Sequence, residues 1–282
     1  MKFKTFLEPF TELILSKTDF SYRKMRFFGR LPFFRNIGFD SSYESRLVNR
    51  ELIDIAESAP SSDIVKEISV NGYSSPICIT SDFLLYLEQL VSSTPFANLK
   101  TGEGKYFLDL QNLTNPSDAY LYNLDNPHVN NVRLNQFAED VIKPIADAYL
   151  GAKSKVLNTQ IWATFTDDGN TYNPDFGFHY DLDDYRFLKL FIYLTDVDDA
   201  SGPHQIIEKS HKGNVLFRFF NRRLEEPLSE AYGSNVKVMS GKKGEGFFED
   251  TLCYHKGTRP LKPRMILQIQ YGISEFNAGK KD

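Results

Sequence analysis

Cysteine is nearly missing from this sequence: 282 residues contain two, Cys78 and Cys253. Two isolated thiols build no disulfide framework and suit a reducing compartment, so a cytoplasmic location is expected. Long apolar runs are missing as well. No stretch approaches the roughly 20 residues that cross a bilayer, and no membrane partner is expected. The opening segment "MKFKTFLEPFTELILSKTDF" mixes basic and apolar residues, but Glu8 and Glu12 interrupt it and no small-residue cleavage site follows. It reads as a short amphipathic helix, not a targeting signal. An excess of one charge is also lacking, since 33 Lys+Arg against 37 Asp+Glu leave a formal net charge of −4. Such a chain offers no overall field for nucleic acid, and no nucleic-acid partner is expected. What remains is ordinary for a globular protein, 41% hydrophobic and 25% charged, with enough length for one large domain or one and a half.

The first half reads as helices. "SSYESRLVNRELIDIAESAP" offers Ser41 or Ser42 as cap, Leu47, Leu52, Ile53 and Ile55 as an apolar face, and Pro60 as a stop. "SDFLLYLEQLVSS" has Ser81 or Asp82 as cap, with Phe83, Leu84, Leu87 and Leu90 facing inward. "RLNQFAEDVIKPIADAYLG" ends at Gly151, a helix stop, and Pro144 should kink or divide it. Beyond Gly151 the texture changes. "KVLNTQIWATFT" alternates, and strand-like runs follow at 187–195, 203–208, 246–249 and 264–273. Helices first and short strands afterwards predict an α+β fold with a β-sandwich or barrel carrying the site. The charged segment 212–243 interrupts the strands, and loops of that length are more often functional than idle.

Histidine is scarce too, with five in the chain. In "GFHYDLDDYRFLKLFIYLTDV", His179 and Asp181 stand two apart, just ahead of an apolar, β-branched run. Residues two apart in an extended chain point to the same side, so both side chains can reach one metal. The spacing alone is weak, because five histidines produce a chance His-x-Asp in roughly one chain of three. A third ligand must come from elsewhere, and His255 in "FFEDTLCYHKGTRPLKPRMILQIQYG" is the best candidate. Two histidines and a carboxylate on one face of a metal leave about three positions open, as in non-haem Fe(II) oxygenases. Singly, each histidine reads as a hydrogen-bonded strand-end residue. Asp183 shares the His179 side but lies beyond easy chelation with it, and Asp184 falls on the opposite side. His128 reads as a loop residue, His211 as a turn-closing one, and His204 as structural, or as a substrate contact or a neighbour of the ligands. Gln160 and Trp162 share one strand face, but the pattern does not say which face lines the barrel.

The segments "FHYD", "LKLFIYLTDVDDASGPHQIIEKSHKG" and "GEGFFEDTLCYHKGTRPLKPRMILQIQY", in that order, resemble the phytanoyl-CoA dioxygenase family of Fe(II)- and 2-oxoglutarate-dependent oxygenases. Upstream, "AYLGAKSKVLNTQIWATF" is similar to that family's approach to its metal site. The resemblance spans about Lys66 to Tyr271. It implies a double-stranded β-helix core (jelly roll, cupin-like) with N-terminal helices packed against it. The expected division is a helical extension over 1–65 and a dioxygenase domain over 66–282, with 212–243 a lid or insert. Residue by residue, His179, Asp181 and His255 match the iron ligands, and Arg264 matches the arginine for the distal carboxylate of 2-oxoglutarate. A guanidinium suits that task because it pairs bidentately and keeps its charge when partly buried. Thr258 could add a hydroxyl to the same carboxylate. Arg259, ahead of Pro260 in the turn, ranks behind Arg264. The interval from His255 to Arg264 is slightly shorter than in the best-known members, so a different local turn over "KGTRPLKP" is expected.

The resemblance further implies Fe(II), 2-oxoglutarate and O2 as cofactors and cosubstrates, and hydroxylation of an unactivated C–H bond of a small-molecule metabolite with release of succinate and CO2. The family name does not fix the substrate, because one fold and metal site serve many metabolites. Arg218, Arg222 and Arg223 would suit an anionic substrate group, and a solvated charged face explains them equally well. Related halogenases carry a small residue where Asp181 stands, so hydroxylation and not halogenation is expected. The alternatives are a non-catalytic cupin-like protein that holds a metal or ligand, and an interaction protein that docks a partner through its helices.

Overall fold

The structure is a computed structural model that describes residues 3–16, 19–45, 55–57, 61–117, 119–166, 176–225 and 235–274. Its strands are β1 (Ile55–Glu57), β2 (Ile77–Ile79), β3 (Ala97–Asn98), β4 (Leu121–Asp125), β5 (Lys155–Thr164), β6 (Phe187–Tyr193), β7 (His204–Ile207), β8 (Val236–Met239), β9 (Glu245–Glu249), β10 (His255–Lys256) and β11 (Arg264–Gly272). A main sheet runs β1-β2-β9-β6-β11-β5-β4-β3, and a smaller one runs β10-β7-β8. All the pairings are antiparallel. Phe191, Phe247 and Ile266 of the main sheet pack with Ile206 and Met239 of the small one, so the two sheets face each other as a jelly roll. The expected α+β fold with a double-stranded β-helix core is the observed one. The expected strand runs coincide with β5, β6, β7, β9 and β11 to within a few residues.

Strand alternation decides what each face of the main sheet meets. Met265, Leu267, Ile269 and Tyr271 of β11 have no exposed surface and turn toward helices, as do Ile161 and Ala163 of β5. Burying one such large apolar side chain contributes about 1.5–3 kcal/mol. The helices on that face are α5 (Ser61–Asn71), α6 (Ser81–Ser93) and α8 (Lys143–Leu150). The residues in between, Gln160 and Trp162 of β5 and Gln268 and Gln270 of β11, face the small sheet and line the cavity.

Several local expectations are corrected. The cap of α6 is Thr80, one residue before the serine expected, with its Oγ1 accepting from Phe83 N at 3.3 Å. Pro144 divides its helix as expected, through a π-helical turn over Phe137–Ile142, and Gly151 ends it at φ 57°. The helix expected over 41–60 is not continuous: Ser42–Ser45 is helical, but Ile55 pairs with Ile79 as an edge strand. A β-branched residue opposite another gains more from that sheet contact than from a helical face. Leu47, Leu52, Ile53 and Pro60 lie outside the described residues. The expected boundary at 65/66 cuts through α5, and β1 belongs to the main sheet. Among the described residues, the segment that packs outside the sheets is therefore 3–45.

That segment carries α1 (Phe3–Leu15) and α2 (Phe20–Phe28), the latter capped by Asp19. They cover α9 (Val215–Phe220): the rings of Phe10, Phe27 and Phe219 meet edge to face at 5.4–6.3 Å. Arg30 ties Glu12 (2.7 Å) to the Phe219 carbonyl (3.0 Å). Arg26 donates to the Leu182 carbonyl at 3.1 Å, one residue past Asp181. No helix among the described residues is long and apolar enough to cross a membrane.

Candidate metal centre

His179 and His255 are 76 positions apart in the chain and directly opposite in space. His179 N donates to His255 O at 2.9 Å and His255 N to His179 O at 2.8 Å. An antiparallel pair that exchanges both hydrogen bonds sends its side chains to one face, and the two rings lie 4.6 Å apart. Asp181 N donates to Thr251 O at 2.8 Å, which keeps that segment extended and brings its carboxylate to the same face. One ligating atom each from His179, Asp181 and His255 lies within 4.8 Å of the others, as a group that could hold a metal ion.

The tautomers are set by backbone. His179 Nδ1 lies 2.9 Å from Gly177 O, and His255 Nδ1 lies 3.0 Å from Cys253 O. A carbonyl only accepts, so each Nδ1 carries the proton and each Nε2 offers a lone pair. Those Nε2 atoms stand 3.8 and 3.5 Å from the Asp181 carboxylate oxygens. Burial pushes His255 down to about 4, with Asp181 opposing, so the ring is neutral at pH 7. For Asp181, burial opposes ionisation, but the Lys189 ammonium beside it holds it well below the usual carboxylate range. An imidazole Nε2 from each histidine and one anionic oxygen fit a divalent transition metal.

Lys189 is the residue that the sequence reading missed. Its Nζ lies 2.7 Å from Asp181 Oδ2 and 3.0 Å from Asp183 Oδ2, inside the pocket. Burial works against its charge, but the two aspartates outweigh it and raise its pKa. The signal was visible as a lone lysine within the apolar run "FLKLFIYL". Asp183 lies on the pocket side, as its spacing implies, and also accepts from Gln270 Nε2 at 3.1 Å. Asp184 turns away and binds Ser274. Removing one member of a buried, paired set leaves the others uncompensated, at a cost of about 3–5 kcal/mol. Metal-free Lys189→Met protein is therefore expected to melt several degrees below wild type. An unchanged midpoint in a thermal melt with chelator present would show that the pair contributes nothing.

Arg264 begins β11 and lines the same cavity of ~370 Å3. Its Nη1 donates to the Gly202 carbonyl, its buried Nε has no hydrogen bond, and no carboxylate pairs with it among the described residues. Burial pushes its pKa down to about 10, with Tyr193 opposing. Gly202 sits at φ 69°, and a Cβ there would meet Thr258 O at 2.4 Å, so the Ser-Gly-Pro turn needs glycine to lie against this loop.

Thr258 does not reach the cavity. Its hydroxyl donates to Pro203 O at 2.7 Å, closing the short turn after His255, and it is not among the lining residues. Arg259 lies over the Phe176 ring, 5.1 Å from its centre. His204 stacks on His255 at 5.2 Å, with Nε2 2.8 Å from Glu249 Oε2. Burial pushes His204, which lines the same cavity, down to about 3 and Glu249 up to about 8, so this pair is neutral at pH 7. Glu249, another charge inside an apolar strand, was also missed. His128 Nδ1 meets Thr159 Oγ1 at 2.9 Å away from the cavity, and His211 Nδ1 meets Cys253 Sγ at 3.1 Å on the other side of the sheet.

The arginines of 212–243 divide. Arg222 lines the cavity, Arg218 points away from it, and Arg223 bridges His179 through its backbone. Residues 226–234 lie outside the described residues. The remaining polar wall includes Gln160, Gln268, Gln270 and Trp162, whose buried indole N–H has no partner among the described residues.

No protein-family model and no curated protein sequence matches the chain. Solved structures do match in fold. EctD from S. alaskensis with bound Fe is 14% identical, over 83% of this chain and 89% of that one, with a TM-score of 0.54. HygX from Streptomyces hygroscopicus, with nickel, 2-oxoglutarate and hygromycin B bound, is 12% identical over 77% and 89%, at 0.50. The epimerase SnoN, in complex with Fe3+, alpha ketoglutarate and nogalamycin RO, is 11% identical over 75% and 82%, at 0.50. At these identities the likeness is one of fold.

Proposed function

We propose that this chain is an Fe(II)- and 2-oxoglutarate-dependent oxygenase of the phytanoyl-CoA dioxygenase type, and that it hydroxylates an unactivated C–H bond of a small molecule. One observation carries the reading: a His-Asp-His ligand face and an arginine without a carboxylate partner among the described residues share one cavity. The ligand face fits a divalent iron, and the arginine fits the far carboxylate of a cosubstrate bound beside it. His179 Nε2, Asp181 and His255 Nε2 would hold the iron, which when bound supplies the redox chemistry of dioxygen. The carbonyls of Gly177 and Cys253 hold both imidazoles in the ligating tautomer. Lys189 fixes the Asp181 carboxylate through its ion pair. The indole N–H of Trp162, the glutamine wall and Arg222 would orient a polar substrate by hydrogen bonds. Domain assignment follows the sheets: residues from Ile55 onward make the oxygenase unit, and the helices before it brace the segment that bears Asp181.

The fold neighbours crystallised with iron or nickel and 2-oxoglutarate agree with this cofactor set. One of them is named an epimerase, so product mass must decide the outcome. With Fe(II), ascorbate and 2-oxoglutarate, the protein is expected to release succinate in air, faster with substrate present. A metabolite extract screened in the same way should show products heavier by one oxygen or lighter by two hydrogens. Incorporation of chlorine from the buffer would overturn the hydroxylase reading, since Asp181 occupies the place that halogenases leave to chloride.

A further inference from the structure

A second cavity, of ~430 Å3, lies between the N-terminal helices and the core, and the proposed reaction makes no use of it. That volume falls inside the roughly 300–1,000 Å3 of small-molecule sites. Among the described residues, Arg30, Arg35, Arg186, Lys212 and Arg218 line it, against one carboxylate, Asp250. Both oxygens of Asp250 are engaged, Oδ2 by Tyr149 OH at 2.6 Å and Oδ1 by Leu252 N at 2.9 Å.

Two of the cations are structural. Arg30 is paired with Glu12 at 2.7 Å. Arg218 donates to Ser210 O at 2.5 Å and Leu252 O at 2.6 Å, and packs on the Tyr180 and Tyr254 rings. The others have little to hold. The Arg35 side chain makes no hydrogen bond or ion pair among the described residues, although its Nε is buried. Among the described residues, Arg186 has buried Nε and Nη1 without hydrogen-bond partners, a 3.4 Å contact from Nη2 to Gly38 O, and its guanidinium over the Phe39 ring at 5.5 Å. Lys212 stands exposed at the rim. Buried donors without acceptors are costly, and several around one cavity call for a bound partner such as water or an anion.

We propose that this cavity is a second ligand site and takes a phosphate group. One carboxylate satisfies one guanidinium fork, whereas a phosphate presents acceptor oxygens to two guanidiniums and an ammonium at once. Phe39 and Phe187 also line the cavity and leave room for an organic group esterified to that phosphate. The site is separate from the metal pocket. Its wall includes Arg218 on Tyr180 and Tyr254, and these tyrosines alternate along their strands with His179, Asp181 and His255, so the two sets face opposite ways.

The test is titration calorimetry of the full chain at low salt with inorganic phosphate, pyrophosphate and AMP as separate probes. At least one probe should bind, and more weakly as salt is raised. AMP binding more tightly than phosphate assigns the site to an ester, and equal binding assigns it to the free anion. The Arg35→Gln/Arg186→Gln protein should bind at least tenfold more weakly, and Arg264→Ala should bind as wild type does. Lys212→Gln, at the exposed rim where folding is not at stake, should weaken binding at least threefold. The proposal fails if no probe binds, if Arg264→Ala abolishes binding, or if neither Lys212→Gln nor a natively folded Arg35→Gln/Arg186→Gln protein changes it.

Discussion

His255→Ala protein is expected to fold and to lose its iron. The fold should survive because His255 joins its neighbour through main-chain atoms, N to His179 O at 2.8 Å and O from His179 N at 2.9 Å, which alanine retains. The metal should not survive. Replacing the partners of metal ligands alone costs about 10–100-fold in affinity, so losing one of three ligands should cost more than about 100-fold. His179→Ala should behave in the same way, since the two rings are equivalent about Asp181, with Nε2 atoms 3.8 and 3.5 Å from its carboxylate. The measurement is the visible charge-transfer band that forms when Fe(II) and 2-oxoglutarate are added without oxygen. It should appear in wild type and vanish in both variants, while far-UV circular dichroism stays unchanged. Retention of the band in His255→Ala would remove that residue from the ligand set.

Arg264→Ala is expected to separate cosubstrate binding from iron binding. The guanidinium faces the cavity with no carboxylate partner among the described residues, so an incoming carboxylate would be its first. Truncating one partner of such a pair costs about 2–5 kcal/mol, which raises the KM for 2-oxoglutarate about 30-fold or more. Iron affinity should be unchanged, because Arg264 is not part of the ligand group. Arg259→Ala is the control, since that side chain lies over Phe176 and outside the cavity lining. If Arg259→Ala raised the KM and Arg264→Ala did not, the two roles would have to be exchanged.

Much of the site was legible before any coordinates. The period-two geometry of a strand puts His179 and Asp181 on one side, and the order of motifs pointed to His255 and Arg264 as their companions. Strand positions were equally legible, because alternation and β-branching are local properties of the chain. Lys189 and Glu249 could have been found as charges inside apolar strands, but their partners could not. Asp181, Asp183 and His204 come from other elements, and only the folded chain brings them within 3.0 Å.

The sequence by itself determined which side chains share a strand face, and so which could act together. Tertiary structure decided what each face meets. Gln160 and Trp162 could have faced helices or cavity, and the sheet pairing turned them to the cavity while Ile161 and Ala163 met the helices. The same holds for Thr258, whose place in the motif suggested the cosubstrate but whose hydroxyl closes a turn on Pro203. It holds for Ile55, whose spacing suited a helix but which found Ile79 across a sheet edge. Alternation has a range of two residues and is fixed by the backbone. Which strand lies beside another is fixed by contacts between residues far apart in the chain, such as 179 with 255, and no local pattern records them.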